Sequence, residues 1–146
     1  MKNKFVFTAF IVLFIIIILV SFYQPGEISK VCIKDKCFSV ELAKTSAEQA
    51  KGLSNRSFLD QNAGMLFIFN KIGIYSFWMK DTLIPLDMIW INNNQIVYIE
   101  RSAQPCLENS CPIFNKNIAA NYVLEINANL SNKYNISEGD IVYFTR

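Results

Sequence analysis

The sequence predicts a mainly β domain, a compact sandwich or barrel of about seven or eight short strands with one or two short helices, preceded by a single transmembrane helix. Three observations carry this expectation. Beyond residue 24 the apolar residues fall in short runs, such as 65–69 and 86–91, punctuated by turn residues. Helix start signals are sparse, the clearest being Thr45-Ser46-Ala47-Glu48. Ahead of all this stands one long uncharged stretch, Phe5 to Tyr23.

That stretch is nineteen residues without a charge. As a helix it spans about 28 Å, close to the hydrocarbon thickness of a bilayer. Lys2 and Lys4 precede it, so the positive-inside rule places the N-terminus in the cytoplasm and the rest outside. The run is Ile-rich and no A-x-A pattern ends it, which favours an uncleaved anchor over residues 1–24. Cleavage between Ser21 and Gly26, giving a secreted protein, is the alternative. Gln24-Pro25-Gly26 cannot continue a helix well. Residues 25–36 then supply a first strand and turn, and 37–146 the domain proper.

Ile28 to Ile33 and Cys37 to Ala43 read as a hairpin about Lys34-Asp35, which sets Cys32 opposite Cys37. The Thr45 capping box starts a short helix that Gly52 ends. Met65 to Phe69 is a strand covered on both sides, followed by strands over 73–79 and 86–91. Asn92-Asn93-Asn94 turns the chain into a partner strand over 95–100. Residues 105–116 form a loop, and 122–126 and 139–144 are the last strands, with one helical turn over 130–134 between them.

The formal net charge is +2, and Lys2 and Lys4 account for it. Residues 24–146 carry twelve basic and twelve acidic side chains, so there is no electrostatic case for nucleic acid. The chain has no histidine, which excludes Ser–His and Cys–His nucleophilic pairs and His-ligated metals. The four cysteines form two close pairs, Cys32/Cys37 and Cys106/Cys111. Two local disulfides are the simpler reading outside the cytoplasm, a four-cysteine zinc site or free thiols the alternatives. No metal and no cofactor is expected.

The central stretch has a specific pattern: Gly52-Leu53, Arg56, Gly64-Met65-Leu66-Phe67, Phe77-Trp78-Met79-Lys80, Thr82 and Pro85-Leu86-Asp87, then Cys111-Pro112, Tyr122-Val123-Leu124-Glu125 and Gly139-Asp140. In collinear order over roughly residues 37–144 it resembles the uncharacterised family catalogued as domain of unknown function 192. The resemblance implies a compact, jelly-roll-like β domain that in many members follows a signal or anchor segment. It implies no activity. Three positions depart from the family pattern: Ser54 for methionine, Asp81 for asparagine and Asn129 for glycine.

Asp87 is the residue that composition explains least, an acid sharing a strand face with Ile89 and Ile91. Buried, it needs partners, for which Lys80, Thr82, Arg56 and loop amides are candidates. It either pins the loop before Pro85, contacts a ligand, acts as a base with Lys80, or sits exposed at the strand entrance. Lys80, Asp81 and Thr82 form a polar knot between apolar runs, read as solvated turn charges or as a site. Phe77, Trp78 and Met79 are expected in the core, with an aromatic shelf for a sugar or peptide as the other role of Trp78. Arg56 pairs with Glu41 or Asp87, or reaches an anionic ligand. Three Asn-x-Ser triplets, at 55–57, 129–131 and 135–137, fit the glycosylation pattern.

Three functional readings follow. The first is a membrane-tethered, non-catalytic extracytoplasmic module that binds a small molecule, a glycan or an envelope protein around Lys80, Asp81, Thr82, Asp87, Trp78 and Arg56. The second is a structural or assembly protein. The third is a cell-envelope hydrolase or transferase using Asp87 and Lys80 as catalytic groups.

Overall fold

The structure, a computed structural model, describes residues 27–108 and 110–146. The anchor expected over Phe5 to Tyr23 lies outside these residues. Among the described residues no helix is long and apolar enough to cross a membrane.

Among the described residues nine strands and two short helices are formed: β1 (Lys30–Ile33), β2 (Lys36–Ala43), α1 (Ser46–Lys51), β3 (Ala63–Ile74), β4 (Phe77–Trp78), β5 (Leu86–Asn92), β6 (Gln95–Ala103), β7 (Ile113–Phe114), β8 (Ala119–Asn127), α2 (Leu130–Lys133) and β9 (Val142–Thr145). Seven strands make one curled sheet in the order β6-β5-β8-β3-β2-β1-β9, and β4 and β7 make a separate ribbon. The curl brings the two edges together. Ile96 N–H donates to the Asp140 carbonyl (3.0 Å) and Val142 N–H to the Asn94 carbonyl (2.8 Å). The result is a half-barrel built from one curled sheet.

Local chemistry explains the elements. Lys34 takes a positive φ of 52° in the first turn, and Cys32 faces Cys37 with Cα atoms 4.0 Å apart, joined as a disulfide. The Thr45 capping box forms as expected: Glu48 N–H donates to Thr45 Oγ1 (3.2 Å) and Thr45 N–H to Glu48 Oε2 (2.8 Å). Gln49 on α1 then donates to the Ile68 carbonyl (2.9 Å), docking the helix on β3. Asn93 and Asn94 both adopt positive φ, 46° and 70°, in the tight turn between β5 and β6.

Two expectations need correction. The strand expected over 73–79 is divided: residues 73–74 end β3, and only Phe77–Trp78 form β4. The loop expected over 105–116 contains β7, whose Ile113 pairs with Trp78. Apolar content alone cannot show where a run changes partner strand.

Both faces of the sheet are buried along its central strands, β5 and β8 above all. Phe38, Leu66, Ile89, Ile91, Leu124 and Ile126 lie in the core inside the curl, with Leu130 and Ile136 packed on them. Phe67, Phe77, Met79, Met88, Trp90 and Val123 lie in a second core on the opposite face, with Leu53 and Leu59 from the 52–60 segment. The central strands are therefore nearly continuous apolar runs.

At Gly64 β3 and β8 leave no room for a side chain. A Cβ there would lie 2.6 Å from the Glu125 carbonyl oxygen and 3.0 Å from the Ile126 side chain. Gly64→Ala is expected to destabilise the fold by about 2 kcal/mol, measured by urea unfolding. An unchanged midpoint would mean that the two strands can separate freely.

Candidate functional site

The polar knot turns out to be a backbone device. Thr82 N–H donates to the Met79 carbonyl (3.1 Å), closing a tight turn with Asp81 at a φ of 55°. Asp81 N–H donates to the Cys106 carbonyl (3.0 Å), Cys106 N–H to the Met79 carbonyl (3.2 Å), and Asn55 N–H to the Asp81 carbonyl (2.7 Å). The Cys106–Cys111 disulfide fixes the segment behind this turn. The left-handed backbone explains why Asp81 can replace asparagine, since both tolerate positive φ. Asn129, in place of glycine, likewise sits at a φ of 67°. Asp81→Asn is accordingly expected to leave stability within about 0.5 kcal/mol, and Asp81→Val to lower it by roughly 1–2 kcal/mol. Thermal unfolding of both variants checks this, and equal effects would remove the backbone explanation.

Asp87 is fully buried, and neither Lys80 nor Arg56 touches it. Oδ1 accepts from the backbone N–H of Ser102 (2.8 Å) and Asn129 (3.1 Å). Oδ2 accepts from Ser131 N–H (2.9 Å) and the Ser131 hydroxyl (2.6 Å). Asn129 caps α2 without a side-chain hydrogen bond, so Asp87, forty-two residues earlier, satisfies the helix's first amides from β5. This is the pinning role, aimed at α2 rather than at the loop before Pro85.

Arg56 makes a two-pronged pair with Glu41 and holds that carboxyl below its ordinary value, the hydrogen bond being the main cause. Phe77 and Met79 are buried as expected, but Trp78 is 54% exposed. Trp78 and Thr82 line a cleft of about 200 Å³. The end of α1 and residues 52–54 form one side of it, and Phe67, Phe69, Tyr75 and Phe77 the other. The rings brace one another: Phe69 stacks on Tyr75 at 3.5 Å, and Phe77 meets Phe67 edge-on at 4.8 Å. Lys80, Asp81, Arg56 and Asp87 do not line this cleft.

Glu125 also lines the cleft. It occupies the central strand β8, opposite Met65 on β3 and Met88 on β5, and is 4% exposed. Among the described residues its carboxyl enters no ion pair. Burial alone pushes it up to about 8, with no charged or hydrogen-bonding neighbour contributing. Sequence reasoning placed Glu125 only in the family pattern. The available signal was an acid between Leu124 and Ile126 in a strand covered on both faces.

The chain matches the family described as "Uncharacterized ACR", domain of unknown function 192, over residues 29–144. The chain belongs to that family. A protein of unknown function from Novosphingobium aromaticivorans shares 34% identity with it, covering 82% of this chain and 89% of that one, with a TM-score of 0.73. A Sinorhizobium meliloti protein, provisionally described as a transcription regulator, shares 30% identity over 82% of this chain and 98% of that one, with a TM-score of 0.72. No curated protein matches. In this domain of unknown function 192, the two disulfides point to an oxidising, extracytoplasmic environment.

Proposed function

We propose that the protein is a membrane-tethered, non-catalytic extracytoplasmic module that holds a small ligand in the cleft above Glu125. One observation carries this reading: an aromatic-walled cleft is lined by a buried carboxyl that, among the described residues, has no ion-pair partner. A hydrophobic lining with a few placed polar groups is the usual form of a small-molecule site. The tether rests on the nineteen uncharged residues from Phe5 to Tyr23. An enzyme using Asp87 and Lys80 is disfavoured, because Asp87 is sealed by four hydrogen bonds and apart from Lys80. Gene regulation, the description given to the Sinorhizobium relative, finds no support in charge, since residues 24–146 are electrically neutral.

Screening small molecules by thermal shift tests the proposal. Trp78 is largely exposed, so Trp78→Ala should fold normally while losing ligands seated in the cleft. Binders that raise the melting temperature of the wild type and not of Trp78→Ala support the proposal. Binders that raise both equally place the site elsewhere.

A further inference from the structure

Resting on that binding reading, we infer that the cleft takes an organic ammonium head group, with the Glu125 carboxylate as counter-charge and the rings of Phe69, Phe77 and Trp78 as its walls. Among the described residues Glu125 is the only acid lining the cleft. It sits in the middle of an apolar sheet face, flanked by Met65 and Met88, where a charge without a partner is strongly disfavoured. An arriving cation supplies the missing partner. Aromatic rings around an ammonium add a second attraction that a neutral guest of the same shape does not receive.

A metal ion fits the site less well. Calcium takes six to eight oxygens and magnesium a full octahedron, whereas this cleft offers one carboxyl and a few hydroxyls, including Thr82, among rings. Lys51 and Tyr75 are the other ionisable groups lining it. Lys51 is solvent-exposed on the last turn of α1 and makes no ion pair with Glu125. Among the described residues Glu125 is thus left without an ion-pair partner.

Binding of a permanent cation must displace the proton that burial keeps on Glu125. Affinity should therefore rise about tenfold per pH unit from pH 5 to pH 7, with one proton released per cation bound. The probes are tetramethylammonium, butylammonium, potassium and the uncharged tert-butanol, titrated against the full chain in a non-ionic detergent. Tryptophan fluorescence reports occupancy, and calorimetry in two buffers of different ionisation enthalpy counts the protons. The inference expects saturable binding of one or both ammonium probes, at least tenfold weaker in Glu125→Gln, with the proton release abolished there. The quaternary and primary arms separate a free methylated amine from a lysine-like or N-terminal amine. Unfolding curves for Glu125→Gln confirm that a loss is not misfolding.

Three results overturn the inference: tert-butanol binding as tightly as the ammonium probes, equal affinity in Glu125→Gln, or no binding by any probe. The first leaves the cleft a binding site for neutral ligands, so the broader proposal survives it. Failure of the Trp78→Ala comparison removes both.

Discussion

Replacing Asp87 with alanine is expected to destabilise the domain by about 4 kcal/mol, the largest effect of any single substitution considered. The carboxyl accepts four hydrogen bonds, three from backbone amides and one from the Ser131 hydroxyl. Truncation strands these donors at a site that solvent does not reach. The loss also uncaps α2, because Asn129 gives the helix no side-chain bond. Asp87→Asn keeps the shape but turns an amide group toward some of the same donors, and should cost about half as much. Denaturant unfolding gives the magnitudes. Hydrogen exchange gives the location, since amides 130–134 should lose protection before those of β3 and β8. An alanine variant as stable as wild type would mean that the α2 segment finds other acceptors. It would also reopen a role for Asp87 beyond structure.

The second large effect is a fall in stability between mildly acid and alkaline pH that Glu125→Gln removes. In the unfolded chain this carboxyl releases its proton around its ordinary value of 4.5, whereas in the fold burial pushes it up to about 8. Between those values the folded protein holds a proton that the unfolded chain has already given up. Its contribution to stability is thus whole below pH 4.5 and is lost progressively as pH rises through 8. The loss by pH 9 is on the order of a few kcal/mol, because the group is buried in an apolar face and has no ion-pair partner among the described residues. Glutamine has the same shape and no charge to desolvate, so the variant should match the wild type at pH 5 and exceed it at pH 9. Urea midpoints at pH 5, 7 and 9 for both proteins decide the matter. Parallel pH profiles would show that Glu125 ionises freely in the fold, and the cleft would then lose its distinguishing feature.

Much of the fold is legible in local chemistry because the interactions are local. The Cys32–Cys37 register needs only a two-residue turn, and the Thr45–Glu48 box spans three residues. The Asn93-Asn94 turn needs only residues that accept positive φ. The face of Asp87 is equally legible, since alternation along β5 puts it with Ile89 and Ile91. The partners of Asp87 are not, because they come from β6 and the α2 segment, and sequence proximity points to Lys80 instead. Trp78 is misjudged for a related reason. Its neighbours Phe77 and Met79 are buried, yet the short ribbon with β7 turns Trp78 outward to the cleft.

By itself the sequence determined a β-built domain with two cysteine pairs, a capping box, an acid on the inner strand face and a neutral charge balance. Each of these is fixed by residue type and spacing over a few positions. Tertiary structure alone decided that β8 inserts between β3 and β5, placing Glu125 between Met65 and Met88 beneath a ring of aromatics. That outcome depends on pairing between segments some forty to sixty residues apart. Spacing along the chain carries no record of which strand will become a neighbour, so a buried acid without a partner shows itself only once the sheet has closed.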